Sequence, residues 1–211
     1  MVNMKRKLSF ALSLCLCASA LFSTAGADVV NSNDTDSTTS ETQTVSTFPD
    51  VPASASYAEA VKMLSEAGII QGDANGRFNP EQTVTRAQAA AFLCRMLGIE
   101  ETAKVKKSTK FSDVPQSYWA SGYVAAIADM EIINGFNDGT YKPNAPITCQ
   151  QVLKMLVCSW GWQEYAESCG GWPNGYVSVA QEYGYTKNTS QSFTANATRS
   201  TMAVYIYNTM H

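Results

Sequence analysis

Two stretches of the chain align without a gap at an offset of 63 residues: residues 48–93 with residues 111–156. Fourteen of the aligned positions are identical, and most of them are turn formers, helix caps or apolar anchors. Residues of these kinds fix the path of a backbone. A unit of this size rarely closes a hydrophobic core alone, so neighbouring copies are expected to pack on one another. The chain is therefore predicted to fold as an assembly of similar units.

Each unit has the pattern of a helix, a loop and a second helix. In the first unit, apolar residues at helical spacing predict a helix ending at Gly68, and Thr85 then caps a second helix over residues 86–97. The second unit repeats this plan with Thr148 as the cap. A third copy, shorter in its loop, contains Thr198 at the same place. We predict a mainly α fold of three pseudo-repeated helix-loop-helix units in a pseudo-threefold bundle.

The predicted domain boundaries follow from these units and from what precedes them. The units are residues 48–100, 111–162 and 163–211, with residues 101–110 as a linker. Residues 1–27 have the pattern of a secretory signal peptide, with a basic start, an apolar run shorter than the roughly 20 residues that span a bilayer, and small residues before Asp28. Residues 28–47 are rich in Ser and Thr, which predicts a disordered spacer. We expect an exported protein.

Composition excludes several classes of partner and chemistry. The net charge of −3 becomes more negative once the basic signal is removed, so nucleic acid is not an expected partner. No second stretch is apolar enough to span a membrane. Four cysteines lie beyond the signal, without a C-x-x-C motif, and the single histidine is the last residue, so neither a metal site nor a cofactor is expected. Disulfides and buried free thiols are both compatible with the cysteines Cys94, Cys149, Cys158 and Cys169.

Catalysis is not expected either. His211 stands at the terminus and is a poor candidate for a general base beside a Ser or Cys nucleophile. The acidic turn that begins at Asp73 does not match a calcium loop, because Val84 occupies the position of the closing glutamate. We interpret it as a turn, and we expect the protein not to be an enzyme.

The motifs of the first unit resemble a known family. Residues 48–52, 68–72, 76–80 and 85–88 read F-x-D-V-P, G-I-I-x-G, G-x-F-x-P and T-R-A-Q. Together they resemble the S-layer homology (SLH) module, and the resemblance extends over residues 48–211 with a degenerate third repeat. It implies a helical module that holds exported proteins at the bacterial cell wall or S-layer by binding secondary cell-wall polysaccharide, often pyruvylated, without a covalent bond. The alternative is an envelope protein–protein interaction subunit that keeps the fold without polymer binding.

The resemblance and the residues together indicate ligand contacts at the starts of two second helices. Arg86 follows the cap Thr85, and Arg199 follows the cap Thr198. Helix N-termini favour anions through unpaired N–H groups, and a guanidinium matches the carboxylate of a pyruvate ketal. Alternatively, each arginine pairs with a nearby surface carboxylate. In the second unit the same position is Cys149, which cannot bind a carboxylate as a guanidinium does.

Four further residues are candidates for the polysaccharide site. Trp119 and Trp172 offer flat apolar faces to a sugar ring, or else they pack between repeats. Asp50 and Asp113 belong to the groove by analogy with the family, but each is equally able to brace its own turn by accepting backbone N–H bonds. For both aspartates we favour the bracing role.

Overall fold

The computed structural model describes residues 48–106 and 108–211. The predicted signal peptide and spacer lie outside these residues. Within them the fold is mainly helical, as predicted, with eight helices and no strand longer than an isolated bridge. In chain order the helices are α1 (Ala58–Glu66), α2 (Arg86–Met96), α3 (Glu100–Val105), α4 (Ser121–Asp129), α5 (Cys149–Ser159), α6 (Gln163–Ser168), α7 (Asn174–Glu182) and α8 (Arg199–Met210).

Helices α2, α5 and α8 begin directly after the three predicted threonine caps. The Thr85 hydroxyl accepts a hydrogen bond from the Gln88 N–H at 3.2 Å, and the Gln88 side chain accepts one from the Thr85 N–H at 2.9 Å. This reciprocal pair satisfies two backbone donors that a helix start otherwise leaves unpaired. The Thr198 hydroxyl accepts from the Thr201 N–H at 3.2 Å in the same way. At α5 only one half of this pair is present, with the Gln151 side chain accepting from the Thr148 N–H at 3.1 Å. These contacts mark where the three helices begin, and thus where residues 86, 149 and 199 lie.

The helices pack in a cyclic order. Helix α2 packs on α4, α5 packs on α7, and α8 packs on α1, so the second helix of each predicted unit contacts the first helix of another. One continuous hydrophobic cluster runs through the described residues, and its largest fully buried side chains include Tyr141, Tyr176, Tyr205, Phe78 and Met202. No unit buries its apolar face alone, as a repeat architecture requires.

A ring of three backbone hydrogen bonds joins the segments that lead into α2, α5 and α8. The Val84 N–H donates to the Ala197 carbonyl at 2.9 Å, the Ala197 N–H to the Ile147 carbonyl at 2.8 Å, and the Ile147 N–H to the Val84 carbonyl at 3.0 Å. All three side chains are fully buried. Each segment therefore donates a backbone hydrogen bond to one neighbouring segment and accepts one from the other, so the three hydrogen bonds form a closed ring.

The predicted linker, residues 101–110, is structured over its first half. Residues 101–105 belong to α3, which packs on α4, and Ala103 is fully buried. The approach is close enough that a Cβ on Gly122 would lie 1.9 Å from the Ala103 carbonyl oxygen. Gly175 of α7 is equally close to Ala166 of α6, where the corresponding distance is 2.1 Å. The linker prediction missed α3 because six residues carry too short a periodic pattern to identify a helix.

Candidate functional site

The starts of α2 and α8 are not the open anion sites that the sequence predicted, and the start of α5 is closed in the same way. The first two N–H groups of α2, on Arg86 and Ala87, donate to the Ala145 and Pro143 carbonyls at 3.0 and 2.9 Å. The equivalent groups of α5 donate to residues 195 and 193, and those of α8 to residues 82 and 80. Each helix start is thus closed by the loop of a neighbouring unit. The expectation that unpaired backbone donors bind the ligand is wrong for these N–H groups.

The Arg86 side chain is held against the loop of the second unit. Its Nε donates to the Tyr141 carbonyl at 2.7 Å, and its guanidinium carbon lies 4.5 Å from the centre of the Tyr141 ring and 4.9 Å from that of Phe136. Burial lowers the pKa of Arg86, and a guanidinium remains charged under all ordinary conditions. A cation is therefore fixed in place with two aromatic faces beside it.

Arg199 repeats this arrangement against the loop of the first unit. Its Nε donates to the Phe78 carbonyl and its Nη2 to the Gln71 carbonyl, each at 2.6 Å, and its guanidinium carbon lies 4.8 Å from the centre of the Phe78 ring. Burial lowers its pKa as well. In the described part of the chain, neither arginine forms an ion pair with a carboxylate. Within residues 48–106 and 108–211, both arginines are therefore held by backbone carbonyls and aromatic rings instead of by a surface carboxylate.

Asp50 and Asp113 accept backbone N–H groups, as favoured from the sequence, but each braces a loop 28–29 residues further along the chain instead of its own turn. The Asp50 carboxylate accepts the N–H groups of Phe78 and Asn79 at 2.8 and 2.7 Å. The Asp113 carboxylate accepts those of Tyr141 and Lys142 at the same two distances. Each aspartate thus fixes the residue whose carbonyl holds an arginine, Phe78 for Arg199 and Tyr141 for Arg86.

Local interactions also set the ionisation of Asp50. Partial burial raises its pKa, but the hydrogen bonds from the Phe78 and Asn79 amides outweigh that effect, and the net shift is downward. The carboxylate is therefore the stable form in the folded protein. Its contribution is to orient the loop, since both oxygens are occupied by backbone donors.

Arg86 lines a groove of about 210 Å³ that also contains side chains from α5 and from the segment before α7. We call it the cationic groove and define it by Arg86, Phe136, Gln151, Lys154 and Trp172. The Lys154 ammonium lies 5.4 Å from the centre of the Trp172 ring and 5.2 Å from that of Tyr176. Trp172 is 44 % exposed, so its ring is open to a ligand rather than enclosed between repeats. Two cations and an exposed aromatic face are thus brought together.

The sequence predictions missed Lys154 and Phe136 in this groove. Lys154 is five residues into α5, where the first unit has Ala91 and the third unit has Val204. Because the repeats do not share this residue, comparison of their common motifs could not identify it.

The structure places Trp119 apart from the cationic groove. It is 56 % exposed directly before α4, with its ring centre 5.9 Å from that of Tyr118 and 6.2 Å from that of Tyr123. Helix α4 packs on α2, and α2 carries Phe92, whose ring centre is 5.7 Å from the Arg199 guanidinium. Trp119 therefore precedes a helix that packs on α2, and it is α2 that contacts the second arginine through Phe92.

Several kinds of site are not observed in the described residues. No three His, Cys, Asp or Glu side chains in residues 48–106 and 108–211 lie close enough together to hold a metal ion. No helix in this part of the chain has the length and apolar character that crossing a bilayer requires. The four cysteines Cys94, Cys149, Cys158 and Cys169 are all free thiols, and burial raises the pKa of Cys94 to about 12.

The chain is similar in sequence to several cell-surface proteins. The chain is 32 % identical over 161 residues to a "Cell surface protein" of Thermoanaerobacter kivui, which covers 75 % of this chain and 20 % of that protein. It is also 32 % identical over 134 residues to a "Surface layer protein" of Brevibacillus choshinensis, covering 63 % and 12 %. A "Cellulosome-anchoring protein" of Acetivibrio thermocellus is 32 % identical over 100 residues, covering 47 % and 21 %.

The chain spans about a fifth or less of the length of these relatives. The model of one family, the S-layer homology domain, matches residues 47–90 and 110–152. The matched segments of the first two helix-loop-helix units are therefore similar in sequence to the S-layer homology domain, and they include Arg86 of the cationic groove.

Proposed function

We propose that this chain is a non-catalytic anchoring module that binds secondary cell-wall polysaccharide at the bacterial cell surface, non-covalently and through pyruvylated sugars. The matched S-layer homology domains and the surface-layer and cellulosome-anchoring names of its relatives support this role. The predicted signal peptide is consistent with export. We place the protein in the cell wall or S-layer, with the polysaccharide as its main partner.

We further propose that the described residues form three S-layer homology repeats in a pseudo-threefold arrangement, with a degenerate third repeat. The family model matches only the first two. Support for the third comes from the cyclic packing of α2 on α4, α5 on α7 and α8 on α1, and from the ring of hydrogen bonds through Val84, Ile147 and Ala197. The paired close approaches at Gly122 and Gly175 also relate the second and third units.

The cationic groove is the observation that carries the binding proposal. A pyruvate ketal adds a carboxylate to a sugar ring, and the groove offers Arg86 and Lys154 beside the exposed face of Trp172. A hydrogen bond to a charged group contributes about 1.5–3 kcal/mol when it is shielded from water. The aromatic ring provides the apolar surface that the faces of sugars pack against. The groove thus matches both parts of a pyruvylated sugar.

Co-sedimentation with purified cell-wall sacculi tests this proposal. The protein is expected to sediment with native sacculi and to stay in solution once the secondary polysaccharide has been stripped from them. Lys154→Val and Trp172→Ala are each expected to raise the Kd for native sacculi about tenfold, which is equivalent to about 1.4 kcal/mol of binding free energy. Trp160→Ala is the matched control, because Trp160 is 40 % exposed but does not line the groove. Binding that survives stripping would instead support a protein or peptidoglycan partner, as for an envelope protein–protein interaction subunit that keeps the fold without polymer binding.

A further inference from the structure

A second groove lies at the place in the third unit that corresponds to the cationic groove in the second. Its volume is about 370 Å³, and we call it the neutral groove, defined by Ser56, Tyr57, Gln191, Thr201 and Val204. One wall is α8, as α5 is a wall of the cationic groove, and the opposite wall is the start of the first unit. A volume of this size is in the range of small-ligand sites.

The two grooves differ at three corresponding positions. Lys154 of α5 corresponds to Val204 of α8, five residues beyond the first residue of each helix. Trp172, just before α7, corresponds to Ser56, just before α1. Arg86 corresponds to Cys149, whose buried thiol lies 3.5 Å from the Gln191 side-chain oxygen. Both cations and the tryptophan are therefore replaced together, which removes the features that match a carboxylate.

Groups that hydrogen-bond without carrying a charge dominate the lining of the neutral groove. Among the described residues that line it there is no Lys or Arg, and nine of the eleven side chains end in a hydroxyl or an amide. The carboxylate of Glu81 is the one acidic group among them. An anionic ligand would face a like charge here without a compensating cation, whereas sugar hydroxyls can donate to a carboxylate and to amide oxygens.

The polar wall is held in position by its own contacts. The Gln191 side-chain oxygen accepts the Thr201 hydroxyl at 2.5 Å, and its amide nitrogen donates to the Asn196 carbonyl at 2.8 Å. Tyr57 adds a half-buried aromatic ring one residue beyond the position that corresponds to Trp172. Pre-positioned polar groups and an aromatic ring favour binding because less order has to be imposed when the ligand arrives.

We propose that the neutral groove binds an uncharged sugar residue of the same polysaccharide. This inference rests on the proposed function and deepens it. The cationic groove takes a pyruvylated residue, and the neutral groove takes one with free hydroxyls and no acidic substituent. The chain thus distinguishes two residues of one polymer.

Three methyl glycosides of one N-acetylhexosamine test the inference: unmodified, bearing an uncharged isopropylidene ketal, and bearing a pyruvate ketal. The isopropylidene ketal has nearly the bulk of the pyruvate ketal but no carboxylate. Each is titrated into the exported protein labelled with ¹⁵N, and the amide signals around each groove are followed. We expect the unmodified glycoside to shift the signals of residues 188–191 and 200–204, and the pyruvate ketal to shift those of residues 132–136 and 151–155.

A reciprocal pair of variants isolates the charge. Val204→Lys gives the neutral groove the ammonium of its counterpart, and it is expected to bind the pyruvate ketal there at least fivefold more tightly than the unchanged protein does. Lys154→Val makes the opposite change. It should weaken binding of the pyruvate ketal glycoside at the cationic groove about tenfold, while the unmodified glycoside still shifts the amide signals of the neutral groove. Thermal unfolding of both variants establishes that each one is folded.

The outcomes separate this inference from the proposed function. If the pyruvate ketal shifts residues 188–191 more strongly than the unmodified glycoside, the neutral groove is not selective for uncharged sugars and the inference fails. If no glycoside shifts these residues while the cationic groove responds, the inference fails but the anchoring function stands. If neither groove responds and the protein does not sediment with native sacculi, both proposals fail.

Discussion

The starts of α2 and α8 differ from the start of α5 in their side chains but not in their backbone. All three helices donate their first two N–H groups to carbonyls of a neighbouring loop. At α2 and α8 an arginine adds side-chain hydrogen bonds to that loop, whereas α5 has the buried thiol of Cys149. The junction at α5 closes without an arginine. Backbone hydrogen bonds and buried apolar contacts are therefore sufficient to join the units.

The loops that these helices contact differ in the same way. The loops facing Arg86 and Arg199 are braced by Asp113 and Asp50. The loop facing Cys149 lacks the F-x-D-V-P motif, and Asn208 donates to its Tyr185 and Lys187 carbonyls instead. The aspartate and the arginine therefore occur together or are both absent. Because the aspartate orients the carbonyl that holds the arginine, we interpret the two residues as a single device that fixes a cation at the junction between two units.

The largest expected loss of stability comes from breaking the ring of backbone hydrogen bonds through Val84, Ile147 and Ala197, which all three junctions share. Ala197→Pro removes the N–H that donates to the Ile147 carbonyl at 2.8 Å and leaves that buried carbonyl without its donor. We expect the free energy of unfolding to fall by at least about 3 kcal/mol. Chemical denaturation followed by circular dichroism measures this loss.

Ala197→Gly is the matched control for the proline variant. It keeps the N–H and removes one methyl group, so it is expected to cost about 1 kcal/mol. Equal losses for the two variants would mean that the ring of backbone bonds is not what closes the core.

A smaller effect is expected where the junctions differ. Arg199→Met keeps an apolar stem but removes the donors to the Phe78 and Gln71 carbonyls, and it is expected to lower the free energy of unfolding by about 2 kcal/mol. Cys149→Ala at the equivalent position removes only a thiol and is expected to cost about 1 kcal/mol. Urea denaturation of both variants measures the difference. A larger loss for Cys149→Ala would contradict the view that the arginine is the added element.

Much of the backbone could be predicted from the sequence, because the repeats and the caps act locally. Thr85, Thr148 and Thr198 mark the starts of three helices, and the structure begins those helices one residue later. Helix α3 could not be predicted, since its six residues are stabilised by packing on α4 through Gly122. A tertiary contact of this kind leaves no periodic pattern in a short segment.

The candidate site was only partly predictable for a related reason. Arg86 and Trp172 were identified from motifs, but the sequence did not indicate that they line one groove, because that depends on how the units pack. The helix starts were expected to be open to an anion, and instead they are closed by carbonyls of neighbouring loops. Local propensity describes each helix end separately, whereas the partner of each end comes from a distant part of the chain.

The smallest loss of stability is expected from weakening the hydrogen bonds by which Asp50 orients the loop that holds Arg199. Asp50→Asn keeps the shape of the side chain but removes its charge, and we expect a loss of about 1 kcal/mol at pH 7. The pKa of Asp50 is lowered in the folded protein, so its contribution to stability is complete above its unfolded value of about 3.9. It is lost as the pH falls through the lower folded value.

The difference in stability between the original protein and Asp50→Asn should thus be constant from pH 7 to 5 and shrink below about pH 4. Urea denaturation at a series of pH values measures it, with Glu59→Gln as the control because Glu59 is exposed on α1. Asp50→Asn should also weaken sacculus binding if the brace fixes Arg199 for a ligand, whereas the control should not. A difference that stays constant down to pH 3 would show that the charge of Asp50 does not hold this loop, and the coupling between aspartate and arginine would then have to be abandoned.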